Sequence, residues 1–371
     1  MTETAQIPWY SQTAPSDDVI ISSHVRLARN LANFPFPLYL SDDDKMRVQS
    51  LLFDGFSKIQ SENELLVFHA LNTDELELTG RRILEEDGLL KHIDSKNKNQ
   101  KETGIVIGKE TSFSALINYG DHVRLSSFRS GLNFEQSFNE CILFDQKLQD
   151  NLQFASTYDF GYLTAAFRDT GTGMKLSARI HIPGIVRSGK LRIISDYLSE
   201  KKIAIKPAFP EISDGSVAGS FYLIHTTSAM SGTELDQIAD FESACLHIAE
   251  SERKILADYA DNKATVVFNS VLRSYAVAKF SMLLSLRDAV EIISDLKIGL
   301  KCGFLSGFSE DKENVLSGLL FRIKPGHLGF LLKNGNFSFE KDILNDEKAK
   351  IDRLRALMLQ ETVQKLSLKN T

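Results

Sequence analysis

The sequence predicts an α+β protein in which an antiparallel sheet is flanked by helices and is followed by a mainly helical C-terminal region. Two observations predict the sheet. Five stretches between residues 103 and 227 alternate in the manner of β-strands, and several of them are separated only by short turns. A third observation predicts the helical region, because apolar residues recur at helical spacing beyond "ADYADNKA" at residues 257–264. We therefore place a domain boundary near residue 258, which gives domains 1–258 and 259–371.

Two helix starts are marked by a Ser-x-x-acid signature. The pairs are Ser41 with Asp44 and Ser231 with Glu234, and each leads into apolar residues at helical spacing. Alternating polarity between these helices predicts strands at "TGIVIGK", "FSALIN", "HVRLSSF", "MKLSARIHIP" and "SFYLIHTT".

Helical and loop segments complete the order of elements. A helical segment from about Asn133 to Phe154 interrupts the strands, and the lysine-rich run at residues 94–104 is typical of a solvated loop. In the long terminal helix, Ile351, Leu354 and Met358 share one face, which predicts packing there.

Composition excludes several classes of protein. With 371 residues, 43% of them hydrophobic, the chain can build sizeable cores, and its net charge of −6 argues against nucleic-acid binding. Cys141, Cys245 and Cys302 lack the spacing of a disulfide framework or a zinc site, which favours reduced thiols in the cytoplasm. The first residues do not resemble an export signal, and no run of 18 apolar residues occurs, so we expect no membrane association.

The stretch "LINYGDHVRLSSF" at residues 116–128 brings Asp121, His122 and Arg124 together after a glycine. Such a cluster could orient a proton or hold a phosphate. However, Asn-Tyr-Gly-Asp is also typical of a turn, because Gly120 permits a positive φ. From these residues alone we favour the turn.

Two further segments could bind an anion. "ISSHVRLARN" at residues 21–30 contains His24, Arg26 and Arg29, and on a strand His24 and Arg26 would point to the same face. "GTGMKLSAR" at residues 171–179 joins a glycine-rich turn to Lys175 and Arg179, a combination that suits a phosphate cradle of backbone donors and cations.

Taken in order, these segments resemble the phosphagen kinase family, and most closely its bacterial branch, the protein-arginine kinases. "VIISSHVRLARNLANFPFP" is similar to the family's Ser-Ser-Arg-x-Arg-Leu-Ala-Arg-Asn stretch. "YDFGYLTAAFRDTGTGMKLSARIHIP" is similar to its Gly-Tyr-Leu-Thr-x-Cys-Pro-Thr-Asn-x-Gly-Thr-Gly segment. "VLRSYAV" and "IDRLRA" extend the likeness through the C-terminal domain. The resemblance implies a phosphagen-kinase-like catalytic domain that takes ATP with magnesium as nucleotide ligand or substrate.

The family clasps the nucleotide phosphates with arginines, because phosphoryl transfer depends on positioning and on neutralising charge. Arg26 and Arg124 match two of these arginines, whereas His24 and Lys175 replace two others and lose the bidentate fork. The family's mobile loop carries a further arginine, but "KPAFPEISDGSVAG" at residues 206–219 contains none. The nucleotide-side positions implied by the resemblance are Ser22, Ser23, His24, Val25, Arg26, His92, Arg124, Lys175, Leu176, Ser177, Ala178 and Arg179.

The acceptor side departs further from the family. Its two glutamates, which hold the guanidinium and help to remove its proton, correspond to Tyr119 and Gly120, and its reactive cysteine corresponds to Ala166. The family's Pro-Thr-Asn corresponds to Phe167, Arg168 and Asp169. Asp121 and Glu211 are the nearby carboxylates, and we interpret both as structural. We therefore predict no intact catalytic set, and no resident metal site.

In the C-terminal domain, the resemblance implies a degenerate phosphoarginine pocket. The family's Arg-Asp-x-x-Arg-Ala motif corresponds to Ile351, Asp352, Arg355 and Ala356, so its first arginine is missing. We expect feeble phosphoarginine binding and a homodimer formed by residues beyond 258. Further partners implied by the family are a zinc-containing activator, an active kinase paralogue and Clp-type proteolytic machinery.

The sequence thus predicts a protein-arginine-kinase-like protein that is weak or inactive as an enzyme and retains nucleotide binding. One alternative is an active protein-arginine kinase with a rearranged acceptor pocket. Another is a non-enzymatic regulatory or scaffold partner of an active kinase. A third is a nucleotide-binding module that its ligand only stabilises.

Overall fold

The computed structural model describes residues 8–90, 103–109, 111–209, 212, 217–229, 231–308 and 314–369. His92, Glu211 and most of the lysine-rich run at residues 94–104 lie outside the described residues. Among the described helices, no single one has the length and apolar character needed to cross a membrane. One pair bent by 78°, Val315–Arg322 with Pro325–Asn334, meets those two requirements together.

An eight-stranded antiparallel sheet forms the centre of the protein, with the order β2-β3-β4-β5-β1-β8-β10-β9. Its strands are β1 (Ile20–Arg29), β2 (Phe68–Asn72), β3 (Gly104–Gly108), β4 (Phe113–Tyr119), β5 (Asp121–Ser130), β8 (Met174–His181), β9 (Ile203–Pro207) and β10 (Phe221–Thr226). Two small two-stranded sheets pair β6 (Ser156–Thr157) with β7 (Gly161–Tyr162), and β11 (Leu305–Ser306) with β12 (Ser367–Leu368). The five stretches predicted from alternating polarity are β3, β4, β5, β8 and β10.

The helices surround this sheet and then form the C-terminal part of the chain. In the first part they are α1 (Asp42–Glu62), α2 (Leu78–Glu86), α3 (Phe134–Gln149), α4 (Pro183–Arg187), α5 (Leu191–Glu200) and α6 (Glu234–Asn262). The later helices are α7 (Ala264–Phe280), α8 (Leu286–Lys301), α9 (Val315–Arg322), α10 (Pro325–Asn334) and α11 (Glu347–Gln364). The predicted α+β class is confirmed. Residue 258, the predicted domain boundary, lies within α6.

One of the two predicted helix caps is confirmed. The Ser41 hydroxyl accepts the N–H of Asp44 at 3.1 Å and caps α1. The prediction at Ser231 is wrong, because the cap of α6 is Thr233, whose hydroxyl accepts the N–H of Asp236 at 3.2 Å. The Asp236 carboxylate accepts the Thr233 N–H in return at 2.9 Å, so the capping box lies two residues later than predicted.

The two faces of the sheet are covered differently. On one face, α1, α3 and α6 bury apolar side chains such as Phe56, Phe144 and Phe241 against Val25 and Leu125 of the central strands. On the other face, the C-terminal helices pack over one end of the sheet. The central strands β5, β1 and β8 carry polar and charged side chains on this second face, and these form the candidate site.

A contact between α2 and α10 joins the two halves of the chain. The Glu86 carboxylate accepts the N–H of Gly326 at 2.7 Å and lies 3.1 Å from Nδ1 of His327, while Nε2 of His327 lies 3.3 Å from Asp87. Burial alone would lower the pKa of His327, but hydrogen bonds and charge from Asp87 and Glu86 raise it to about 9. The protonated His327 side chain therefore links the start of α10 to Glu86 and Asp87 at the end of α2.

Candidate functional site

Three basic residues lie side by side on adjacent strands, and we call them the cation face: Arg26 on β1, Arg124 on β5 and Lys175 on β8. Arg26 is directly opposite Lys175. It is also opposite Ser126, which makes Arg124 its diagonal neighbour. All three side chains are partly buried. The antiparallel register therefore brings together cations from three distant parts of the sequence.

A carboxylate lies between two of these cations. Oδ2 of Asp169 is 2.9 Å from Nη2 of Arg26, and its Oδ1 is 3.9 Å from Nζ of Lys175. Burial and the charge of Arg124 together lower the pKa of Arg26 to about 10, against the opposing effect of Asp169. Burial also lowers the pKa of Lys175, although Asp169 opposes that shift. The positive charges are thus crowded and partly desolvated, which is typical of a site that attracts anions.

The third cation is also paired. Nε and Nη2 of Arg124 contact Oδ2 of Asp121 at 2.9 and 2.8 Å. The other carboxylate oxygen, Oδ1, accepts the Asn30 side-chain amide at 3.0 Å and the Ala165 N–H at 2.8 Å. Burial raises the pKa of Asp121, but the charge of Arg124 and these hydrogen bonds outweigh it and hold the pKa below its usual value. Asp121 is therefore held by an ion pair and hydrogen bonds within the protein.

The segment that contains Asp121 is a hairpin turn between β4 and β5. Tyr119 pairs with Asp121 across the turn, and Gly120 has a φ of +79°. His122 is buried, with Nδ1 accepting the Leu31 N–H and Nε2 bonded to the Pro35 carbonyl oxygen, both at 2.9 Å. The interpretation of this stretch as a turn is confirmed.

The three positions matched to the family's acceptor-binding groups carry no carboxylate and no thiol. Tyr119 is partly buried, and burial raises the pKa of its phenol. Gly120 has no side chain, and Ala166 precedes the short 3₁₀ turn Phe167–Asp169. In that turn Phe167 and Arg168 are exposed and only Asp169 faces inward. Tyr119, Gly120 and Ala166 therefore provide no side chain that can act as a base for a guanidinium near neutral pH.

The nucleotide-side residues predicted from the sequence do not all reach the cation face. His24 lies on the same face of β1 as Arg26, stacks on Phe128 with ring centroids 4.1 Å apart, and has Nδ1 3.0 Å from the Ser177 hydroxyl. Arg179, in contrast, lies beneath the C-terminal helices, where its guanidinium is 5.4 Å from the Phe209 ring centroid and 5.0 Å from that of Phe321. Arg179 therefore lies on the same face of β8 as Lys175 but four residues farther along the strand, against aromatic side chains.

Several motif residues point to the opposite face of the strands. Val25, Leu176 and Ala178 belong to the hydrophobic core. Ser23 is fully buried, and its hydroxyl donates to the carbonyl oxygen of Gly131 at 2.5 Å. Ser22 is also buried, although it lies on the same face of β1 as His24 and Arg26. The side chains of Ser23, Val25, Leu176 and Ala178 are therefore structural.

The glycine-rich turn also has an internal role. The Gly171 N–H donates to the Tyr162 carbonyl oxygen at 3.1 Å, and the Gly173 carbonyl oxygen accepts the Ala28 N–H at 2.8 Å. Gly173 has a φ of +64°, and a Cβ there would lie 2.6 Å from the Ala28 oxygen. The predicted phosphate cradle is wrong for Gly171, because its donor is already used within the protein.

Sequence reasoning missed a buried ion pair beside this turn. Nε of Arg29 lies 2.9 Å from Oδ1 of Asp145, and both side chains are fully buried. The Arg29 guanidinium also donates to the Thr172 carbonyl oxygen at 3.0 Å and lies 3.5 Å from the Tyr162 ring centroid. Arg29 therefore anchors the glycine-rich turn to α3 and is not exposed to a ligand.

The position matched to the second arginine of the phosphoarginine motif is also buried. Nε of Arg355 donates to the Ile323 carbonyl oxygen at 2.9 Å, and its Nη1 donates to the Leu284 carbonyl oxygen at 2.7 Å and to Asp352. Ala356 is buried, and Ile351 is partly buried. These contacts support the predicted packing role of this face of α11.

Within the described ranges, no group of three or more His, Cys, Asp or Glu side chains is placed to hold a metal ion. A cavity of about 370 Å³ lies away from the cation face and is lined by Asp18, His181, Glu252 and Lys297 among others. It contains none of the residues matched to the family's clasp, so the candidate site rests on the strand geometry.

Comparison with known proteins agrees with this architecture. Residues 41–255 match the ATP:guanido phosphotransferase C-terminal catalytic domain, and residues 264–371 match the protein-arginine kinase McsB C-terminal domain. A protein-arginine kinase of Halothermothrix orenii is 28% identical over 342 residues, which cover 92% of this chain and 95% of that protein. A protein-arginine kinase of Bacillus cereus is 26% identical over 322 residues, covering 86% of this chain and 88% of that protein.

Solved structures show the same fold at lower identity. The duplicated taurocyamine kinase from Schistosoma mansoni, with bound transition state analog components, superposes with a TM-score of 0.58 at 19% identity, over 75% of this chain and 40% of that one. Lombricine kinase superposes with a TM-score of 0.55 at 15% identity, over 66% of this chain and 69% of that one. The chain therefore belongs to the ATP:guanido phosphotransferase family and is a relative of the bacterial protein-arginine kinases.

Proposed function

We propose that this protein binds MgATP weakly on the cation face and transfers the phosphoryl group very slowly or not at all. One observation carries the proposal: Arg26, Arg124 and Lys175 lie together on three strands, whereas no carboxylate or thiol stands at Tyr119, Gly120 or Ala166. The protein thus keeps cations of the donor side and lacks the acid-base groups of the acceptor side.

Nucleotide binding, the donor half of the proposal, is inferred from the positive charges of the cation face. Burial and the nearby charge of Arg124 lower the pKa of Arg26 to about 10, which leaves it protonated at neutral pH, and a polyphosphate would relieve the repulsion among the three cations. Magnesium would arrive on the nucleotide, since this ion is commonly held through substrate phosphates and water. Weak binding follows because both arginines already have carboxylate partners.

Slow phosphotransfer, the acceptor half of the proposal, is inferred from the lack of a general base. A positioned general base contributes about 10² to 10⁴ in rate. Asp121 directly follows the matched position Gly120, but Arg124, Asn30 and Ala165 occupy its oxygens, and its lowered pKa makes it a weaker base. We therefore expect phosphotransfer to be slower than in a relative with an intact acceptor side by at least that factor.

Calorimetric titration and thermal unfolding with MgATP test the donor half. A nucleotide that binds only the folded protein stabilises it by about 2.7 kcal/mol at a hundredfold excess over Kd. We expect a rise in melting temperature that Arg26→Ala removes. Arg192→Ala serves as the control because Arg192 is an exposed residue of α5 and does not belong to the cation face. A melting temperature that saturating MgATP leaves unmoved would contradict nucleotide binding.

Two other functions compete with this proposal. An active protein-arginine kinase with a rearranged acceptor pocket would form acid-labile phosphoarginine in the samples that bind MgATP. A regulatory or scaffold partner would bind without turnover, and the lack of a carboxylate or thiol at Tyr119, Gly120 and Ala166 favours it as the second candidate. Exposed apolar side chains in that domain, such as Phe280, Met282 and Phe330, support a homodimer through residues beyond 258.

A further inference from the structure

The position of Asp169 between two cations bears on how tightly the protein binds nucleotide. We propose that the Asp169 carboxylate occupies the place of a phosphate group between Arg26 and Lys175, and so competes with nucleotide for the cation face. This inference rests on the proposed nucleotide binding and adds an internal ligand to it. The protein would then weaken its own affinity for nucleotide through one side chain.

The geometry resembles that of a bound anion. Oδ2 of Asp169 makes a charge-assisted contact of 2.9 Å with Arg26, and Oδ1 faces Lys175 at 3.9 Å. Both cations come from the paired strands β1 and β8, whereas Asp169 comes from the loop before β8. A loop carboxylate thus bridges two cations that the sheet holds in fixed register.

The same contact is one that a ligand could displace. Asp169 ends a short 3₁₀ turn whose other members, Phe167 and Arg168, are exposed. Its backbone N–H is bonded to the Ala166 carbonyl oxygen, so the turn can keep its shape while the side chain rotates. Among the described side chains, the ion-pair partners of the carboxylate are Arg26 and Lys175, the two cations that a phosphate would take.

The second anion of the site differs from Asp169 in this respect. Asp121 holds Arg124 but also accepts hydrogen bonds from Ala165 and Asn30, which tie it to the protein framework. Its removal would leave buried donors unpaired. Asp169 is therefore the carboxylate at which a substitution can release cations without dismantling the hairpin.

Replacement of Asp169 by asparagine tests the competition. The asparagine side chain would keep an oxygen that can accept from Arg26 while losing the charge that opposes phosphate. We expect Asp169→Asn to tighten MgATP binding by about tenfold in calorimetry, equivalent to about 1.4 kcal/mol. Asp169→Ser should also tighten it, since the shorter side chain vacates the position. Inorganic tripolyphosphate should show the same order of affinities, because the competition is for phosphate oxygens.

Three comparisons make the result decisive. Asp196→Asn changes the net charge by the same amount at an exposed residue of α5 that is paired with Arg192. An equal gain in MgATP affinity with this variant would show that net charge alone causes the effect, and would overturn the inference. Asp169→Asn combined with Arg26→Ala should lose the gain. The melting temperature without ligand shows that each variant is folded.

The outcomes separate the two proposals. If wild-type protein binds MgATP, Arg26→Ala abolishes binding, and neither Asp169 variant tightens it, the competition is refuted and the nucleotide site stands. If neither the wild type nor the Asp169 variants bind MgATP or tripolyphosphate at millimolar concentration, the nucleotide site itself is refuted, and the competition with it.

Discussion

Replacing Gly120 by alanine should damage the protein more than its backbone strain explains. Gly120 has a φ of +79°, and a left-handed conformation costs a non-glycine residue about 1 to 2 kcal/mol. A Cβ there would also lie 2.3 Å from Nη2 of Arg124, which is held against Asp121. The guanidinium must therefore move and weaken a charge-assisted contact, which adds about 1.5 to 3 kcal/mol.

Gly88→Ala provides a matched control. Gly88 also has a φ of +79°, but a Cβ there would meet nothing closer than Phe128 at 3.8 Å, so only the strain remains. In urea unfolding we expect Gly120→Ala to lose about 2.5 to 5 kcal/mol and Gly88→Ala about 1 to 2 kcal/mol. Only Gly120→Ala should also weaken MgATP binding. Equal losses of stability with unchanged MgATP affinity would refute the placement of Arg124 beneath this turn.

Three further predictions follow from buried or exposed groups. Asp145→Ala should cost about 3 to 5 kcal/mol in urea unfolding, since it leaves the fully buried charge of Arg29 unpaired; a loss below about 1 kcal/mol would contradict the buried pair. The pKa of His327 is about 9 in the folded protein and near 6.5 when unfolded. Its contribution to the free energy of unfolding is therefore fully present below pH 6.5 and is lost as pH rises through 9. His327→Gln should make the free energy of unfolding less dependent on pH between 6.5 and 9. An unchanged pH dependence would show that the contact of His327 with Glu86 does not cause it. Light scattering at micromolar concentration should give a dimer mass that Phe280→Asp lowers, whereas a monomeric wild type would refute the dimer.

Much of the fold can be predicted from the sequence because strands with one buried face carry a period of two. β8 alternates between buried and partly buried residues along its first six positions, and its sequence predicts a strand for that reason. The edge strands β2 and β9 were missed because much of their length is exposed or partly exposed, so they show no such pattern. The cap of α6 was misplaced because Ser231 and Thr233 both precede an acid three residues later, and only the backbone geometry selects Thr233.

The site was predictable only in part. Arg26 and Arg124 could be assigned from their motifs, and the sheet brings them together as expected. The partners could not be assigned, because Asp169 is 143 residues from Arg26 and Asp145 is 116 residues from Arg29. Motif spacing does not state which arginine is buried in an ion pair and which faces a ligand. That distinction depends on tertiary packing, which converts Arg29 into a structural residue and leaves Arg26 partly exposed.

The central claim is that the donor side is retained while the acceptor side lacks its base, and one measurement tests it most directly. Purified protein is incubated with labelled ATP, magnesium and an arginine-rich protein, and acid-labile phosphoarginine is quantified beside the Bacillus cereus protein-arginine kinase. We predict a rate at least about 10²-fold below that relative, from a protein that nevertheless binds MgATP. A rate equal to that of the relative, abolished by Arg26→Ala, would contradict the account.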